Sequence, residues 1–231
     1  MGDIKKVFIL HGWTYSLDKW QTFLNLLKEK GIEPIMLNVP GLTSQNDKVW
    51  GIDDYVLWLK KIIDKEKGEI VIVGHSNGGR IALSFVLKYP EKVKKLILID
   101  SAGIYHNELS VRIKRLIFRS IAKIGKKFTS SKILENLLYK LVRESEYKEA
   151  PENMKKTMVN LISVDLKPQL AKINIPTLII WGAKDKITTL SDGELMHKLI
   201  KNSKLTTIED AKHSPQFTNA RQVTDIIYEY I

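Results

Sequence analysis

The sequence predicts an α/β fold: a mostly parallel sheet of about six strands, helices on both faces and one helical insertion. Three observations lead there. Short Val/Ile/Leu runs alternate with longer stretches whose apolar residues recur at helical spacing, the pattern of buried strands linked by crossover helices. One of those runs, Glu69-Ile70-Val71-Ile72-Val73, passes directly through Gly74-His75-Ser76-Asn77-Gly78-Gly79 into the helical run Arg80–Leu87. From about Ile104 to Lys167 the strand pattern stops.

In chain order, strands are expected near 6–11, 33–38, 70–74, 95–100, 177–182 and 204–208, where branched apolar residues cluster. Helices are expected near 18–30, 53–66, 77–89, 191–201 and 217–230. Within the insertion, Leu109, Ile113, Leu116, Ile117 and Ile121 recur at helical spacing, as do Ile133, Leu134, Leu137, Leu138 and Leu141. Met154, Met158, Leu161 and Ile162 mark a further helix. Residues 1–103 and 168–231 thus read as the core and 104–167 as the insertion. With 231 residues, 44% of them hydrophobic, the chain suffices for one domain with a full core.

Gly74-His75-Ser76-Asn77-Gly78 reads as a nucleophile on a sharp strand-to-helix turn. Such a turn leaves no room for a Cβ at Gly74 or Gly78, and it presents the Ser76 hydroxyl at the N-terminus of the helix beginning near Asn77. Free N–H groups and partial positive charge at that end suit a developing oxyanion. Serine is a weak nucleophile alone, so a base and an orienting acid are required. Asp185 follows the strand-like Thr177-Leu178-Ile179-Ile180-Trp181, and His213 lies in the polar loop after Lys204-Leu205-Thr206-Thr207-Ile208. Asp185 is the candidate acid and His213 the candidate base, in the chain order Ser, Asp, His. Asp100, at another strand end, is an alternative acid. His11 and His75 flank the two oxyanion elements and read as loop braces rather than proton carriers.

These motifs resemble the α/β-hydrolase family over nearly the whole chain. Val7-Phe8-Ile9-Leu10 followed by His11-Gly12-Trp13 is similar to the family's oxyanion loop, which implies N–H donors at Trp13 and Asn77. Leu37-Asn38-Val39-Pro40-Gly41 resembles its strand-to-loop turn, with Asn38 where Asp is more usual. Trp181-Gly182-Ala183-Lys184-Asp185 and Ala211-Lys212-His213-Ser214-Pro215 resemble its acid and base loops. The resemblance implies a sheet trimmed to six parallel strands, a cap formed by 104–167, and hydrolysis of small esters, thioesters or lactones through an acyl-enzyme without a cofactor. Tyr15, Tyr105, Ile187 and Ser214 become candidate substrate contacts, and Trp13, Tyr15 and Trp20 either pocket walls or core. The same triad on this fold serves C–C hydrolases and perhydrolases, and proteins of this kind also act as small-molecule receptors.

Composition narrows the remaining classes. The absence of cysteine excludes disulfides and thiol catalysis, and five histidines without clustered spacing predict no metal site. No apolar run approaches the roughly 18 to 20 residues of a membrane span, and the run after Lys5-Lys6 is short for a signal peptide, so a cytoplasmic protein is expected. The formal charge is +11, and residues 104–168 hold 14 Lys and Arg against 7 Asp and Glu. A basic patch can draw anions. Lysine is abundant along the whole chain, however, and the expectation is a solvated face. No nucleic-acid partner is expected, because aromatic residues are not interleaved with the basic positions.

Overall fold

The computed structural model describes residues 5–105 and 150–231. Six strands form one sheet: β1 (Lys5–Leu10), β2 (Ile32–Met36), β3 (Val71–His75), β4 (Lys95–Ile99), β5 (Thr177–Gly182) and β6 (Ser203–Ile208). All pairs are parallel, and the spatial order is β2-β1-β3-β4-β5-β6. The expected strands appear at the expected places, within one or two residues at each end.

The sheet is covered on both sides because its inner strands are apolar through their middles, where successive residues face two different cores. Phe8, Leu10, Ile72, Leu96, Leu98, Ile179 and Trp181 pack with α2 (Ile52–Ile63), α3 (Asn77–Lys88) and α5 (Leu190–Leu199). Val7, Ile9, Val71, Val73, Ile97, Ile99, Leu178 and Ile180 face the other way, against α1 (Gln21–Glu29) and α7 (Ala220–Tyr230). The period-2 alternation of a strand divides the two sets. Trp20 belongs to the second core, edge-on to Phe23 and Phe217, so it is not a pocket wall.

Two helices differ from expectation. The stretch near 18–30 opens with a 3-10 turn at Asp18–Trp20, and the stretch near 217–230 is split into α6 (Pro215–Thr218) and α7 by Asn219, whose φ of −127° is not helical. Pro215 at the first helical position fits the short α6, because its missing N–H is an orphan there.

Residues 106–149, which include most of the insertion and the basic residues between them, lie outside the described residues, as does His106. The helix signalled by the methionines is present as α4 (Glu152–Ile162). Met154 and Leu161 join the first core, and the Thr157 hydroxyl accepts the Trp50 N–H at 2.9 Å, so α4 is fastened to the loop before α2.

Candidate active site

The chain runs from β1 outward to β2, then returns past β1 to β3. At such a reversal the connections leave in opposite directions, opening a crevice at the C-terminal ends of the two strands. His11-Gly12-Trp13 follows β1 and Ser76-Asn77 follows β3, so both candidate oxyanion elements flank that crevice. Asp185 and His213 lie beyond the C-terminal ends of β5 and β6, at the same edge of the sheet.

Ser76 sits between β3 and α3 with φ 52° and ψ −121°, a conformation that side chains rarely adopt. Close packing around the turn holds it there. A Cβ on Gly78 would lie 2.1 Å from the Leu10 carbonyl oxygen, and one on Gly74 would lie 2.6 Å from the Gly79 Cα. The helix therefore starts in contact with β1. The Ser76 carbonyl already accepts the N–H groups of Gly79 and Ala102, at 3.0 and 2.9 Å. Asn77 is the first residue of α3, so its N–H has no intrahelical acceptor. Its side-chain oxygen accepts from Arg80 Nη1 at 3.0 Å, which directs the amide along the helix.

The Ser76 hydroxyl lies 3.0 Å from His213 Nε2, and His213 Nδ1 lies 2.8 Å from Asp185 Oδ2. A carboxylate can only accept, so the Nδ1 proton points at Asp185 and Nε2 is left to accept from Ser76. Asp185 is held in turn: its Oδ1 accepts the Ile187 N–H at 2.7 Å and its Oδ2 accepts the Thr188 hydroxyl at 2.8 Å. Thr188 Oγ1 is also 3.3 Å from His213 Nδ1. Thr188 carries no sequence signal of its own.

His11 is fully buried, with Nδ1 2.7 Å from the Gly12 carbonyl and Nε2 2.9 Å from Thr43 Oγ1. Thr43 also accepts the Val39 N–H, so His11 ties the Gly12-Trp13 loop to the loop after β2. Burial lowers its pKa, as a neutral brace requires. His75 is buried edge-on to Trp20, and its Nε2 is 3.2 Å from Ser214 Oγ. Among the candidate substrate contacts, the Ser214 hydroxyl thus faces His75 in the interior rather than a pocket. Tyr15 and Ile187 are exposed, while Tyr105 is half-buried with its N–H on Asp165 Oδ1 at 3.2 Å. Trp13 is half-buried against the first core.

Asp100 is close by but is not hydrogen-bonded to the imidazole in the way of Asp185; its oxygens accept the Gly182 and Ser214 N–H groups. His75, Asp100 and His213 each bring one ligand-type atom within 4.8 Å of the others. Sequence spacing gave no hint of this cluster. A cation there would have to displace hydrogen bonds that occupy both nitrogens of His213 and both oxygens of Asp100, so the set is a poor metal site. A separate cleft of about 780 Å³ runs beside the loop after β2, edged by Tyr15, Ser44, Gln45, Pro151 and Met154. Ser76, Asp185 and His213 are not among its described walls.

Comparison with known proteins gives the family. The family model described as Serine aminopeptidase, S33 (Hydrolase_4) matches residues 3–217. Monoacylglycerol lipase ABHD6 of Bos taurus is 24% identical over 258 residues, covering 100% of this chain and 76% of its own. The 2-hydroxy-6-oxononadienedioate/2-hydroxy-6-oxononatrienedioate hydrolase of Escherichia coli (strain K12) is 26% identical over 256 residues, 97% of this chain and 86% of its own. The esterase (EaEST) from Exiguobacterium antarcticum has the same fold, with a TM-score of 0.79 at 22% identity, covering 100% of this chain and 92% of that one. The chain therefore belongs to the serine aminopeptidase S33 family of α/β hydrolases.

Proposed function

We propose that the protein hydrolyses carboxylic esters of small molecules, with Ser76 as nucleophile, His213 as general base and acid, and Asp185 as the orienting carboxylate. One observation carries this reading: the unbroken chain from Ser76 Oγ to His213 Nε2 at 3.0 Å and from His213 Nδ1 to Asp185 Oδ2 at 2.8 Å. Ser76 Oγ attacks the ester carbonyl carbon as its proton passes to Nε2, and the tetrahedral oxyanion takes hydrogen bonds from the Trp13 and Asn77 N–H groups. His213 then protonates the departing alkoxide, and the acyl group stays on Ser76. Water, deprotonated by the same nitrogen, releases the acid and restores the hydroxyl. No step calls for a cofactor. Residues 104–167 are assigned as the cap over this site, with Tyr15, Tyr105 and Ile187 as substrate contacts.

The relative named as a hydrolase of 2-hydroxy-6-oxononadienedioate supports a second reading, cleavage of a C–C bond by the same three residues. A third role, small-molecule reception with a slow site, would leave Ser76 unreactive. Fluorophosphonate labelling tests the shared core: stoichiometric adduct on the parent and none on Ser76→Ala, with ester turnover reduced by about 10⁴-fold or more. A folded Ser76→Ala protein keeping a tenth of parental turnover would rule out the serine mechanism. A panel of aryl esters, lactones and vinylogous 1,5-diketones then separates ester from C–C cleavage.

A further inference from the structure

Asp100 directly follows β4 with φ 41°, a left-handed conformation that a non-glycine residue keeps only when its surroundings over-determine it. Among the described residues, the other non-glycine positions with positive φ are Ser76 and Ser214. Ser76 is hydrogen-bonded to His213, and Ser214 follows it. The Asp100 side chain is 0% exposed, and each oxygen accepts one backbone N–H: Gly182 on Oδ1 at 2.9 Å and Ser214 on Oδ2 at 2.8 Å. Gly182 opens the loop that bears Asp185. The Asp100 backbone extends the junction, its N–H donating to the Ile180 carbonyl at 3.0 Å and its own carbonyl lying 3.0 Å from Thr188 Oγ1, where it competes with Asp185 Oδ2 for the one hydroxyl proton. One buried carboxylate thus ties β4 to both the acid loop and the base loop.

We infer that Asp100 is a positioning residue for acyl transfer: as a carboxylate it clamps the Ser214 and Gly182 N–H groups and so keeps His213 in line between Ser76 and Asp185. This rests on the roles proposed above for those three residues. Asp100 is not a second acid, because the His213 Nδ1 proton is already directed at Asp185. Protonation would undo the clamp, since a carboxylic acid turns an O–H toward one of two N–H donors that both need an acceptor. The charged or titratable groups facing Asp100 are Asp185, His213 and His75. Burial, with the Asp185 charge adding to it, pushes the carboxyl up to about 7, against the pull of the two N–H bonds and of His213. The clamp therefore opens as pH falls through about 7.

The test measures fluorophosphonate labelling and aryl-ester hydrolysis against pH for the parent, Asp100→Asn and Asp100→Ala, with Ser76→Ala as the blank. At pH 8, Asp100→Asn, which can accept at one oxygen only, should lower the labelling rate and kcat by about 10- to 100-fold with KM little changed. Asp100→Ala should lower them further. On the acid side the logarithm of the parental rate should climb more steeply with pH than that of Asp100→Asn, by the one proton that Asp100 releases near 7. A residue that served folding alone would reduce the amount of active protein without changing that slope. Parental rate and parental slope in Asp100→Asn would overturn the inference while leaving the Ser76 reading intact. A parent that takes up no probe overturns both. Should the variants fail to fold, a parental rate that does not change as pH crosses 7 is enough to reject the clamp.

Discussion

Asp185 Oδ2 is shared between the His213 ring and the Thr188 hydroxyl, while Oδ1 is occupied by the Ile187 N–H. Every acceptor on this carboxylate is directed, so Asp185→Asn keeps the shape but replaces one acceptor with a donor and turns the His213 tautomer around. Turnover should fall by about 10³ to 10⁴, measured as kcat on an activated ester. The Asp100→Asn effect should be at least tenfold smaller; if the two variants exchanged magnitudes, the acid would belong to β4. Ser76, Asp185 and His213 were legible as candidates because each lies in a loop or turn just past a strand signal, Ser76 and Asp185 behind apolar runs and His213 behind the shorter, more polar β6. The tasks of Thr188 and Asp100 were not. Asp100 binds backbone groups 82 and 114 residues away in sequence, and nothing in a linear pattern marks which N–H groups a carboxylate will meet.

At the scale of elements, the β3–turn–α3 unit carries the local strain. The absence of a Cβ at Gly78 lets α3 begin against the Leu10 carbonyl on β1, which sets the height of Ser76 above the sheet. Gly78→Ala places a methyl 2.1 Å from that oxygen, and backbone atoms on both sides cannot yield cheaply. Stability should drop by about 3 kcal/mol or more, read from urea midpoints, and any folded fraction should label slowly because the turn has moved. An unfolding free energy within about 0.5 kcal/mol of the parent would mean that the turn relaxes freely. The strands themselves were legible because β1, β3, β4 and β5 contain unbroken apolar runs, Val7–Leu10, Val71–Val73, Leu96–Ile99 and Leu178–Trp181, as buried parallel strands do. The break at Asn219 between α6 and α7 was not, because the apolar positions Phe217, Val223 and Ile227 suit one helix and only the backbone turn at Asn219 divides it. Ser214 misled for a related reason: its place beside His213 suggests a substrate contact, whereas its φ of 111° turns the hydroxyl toward His75.

Across the whole molecule, the order β2-β1-β3-β4-β5-β6 gathers residues 76, 100, 185 and 213 at one edge of the sheet, and that gathering places an ionisable carboxyl where water does not reach. The cost should be visible in global stability. Asp100 has its carboxyl pushed up to about 7 in the fold, chiefly by burial, against an ordinary value of 3.8. The folded protein therefore holds this proton more tightly than the unfolded chain, so the associated stability is complete below about 3.8 and is lost as pH rises through about 7. His11 acts in the opposite sense: burial lowers its pKa, so its contribution is present above 6.5 and is lost as pH falls. A single pH–stability curve mixes the two. The difference between the parent and Asp100→Asn isolates Asp100, because asparagine does not titrate and His11 is unchanged. That difference should shift toward the parent by roughly 3 kcal/mol between pH 8 and pH 5, following one proton. Chemical denaturation at half-unit steps of pH would measure it. The same span of pH should close down ester hydrolysis, so stability would rise as activity fell, the mark of a buried charge kept for its position rather than for the strength of the fold. A parent-minus-variant difference that stayed flat from pH 8 to 5 would mean that Asp100 keeps an ordinary carboxyl in the folded protein, and that its two N–H bonds fully offset its burial.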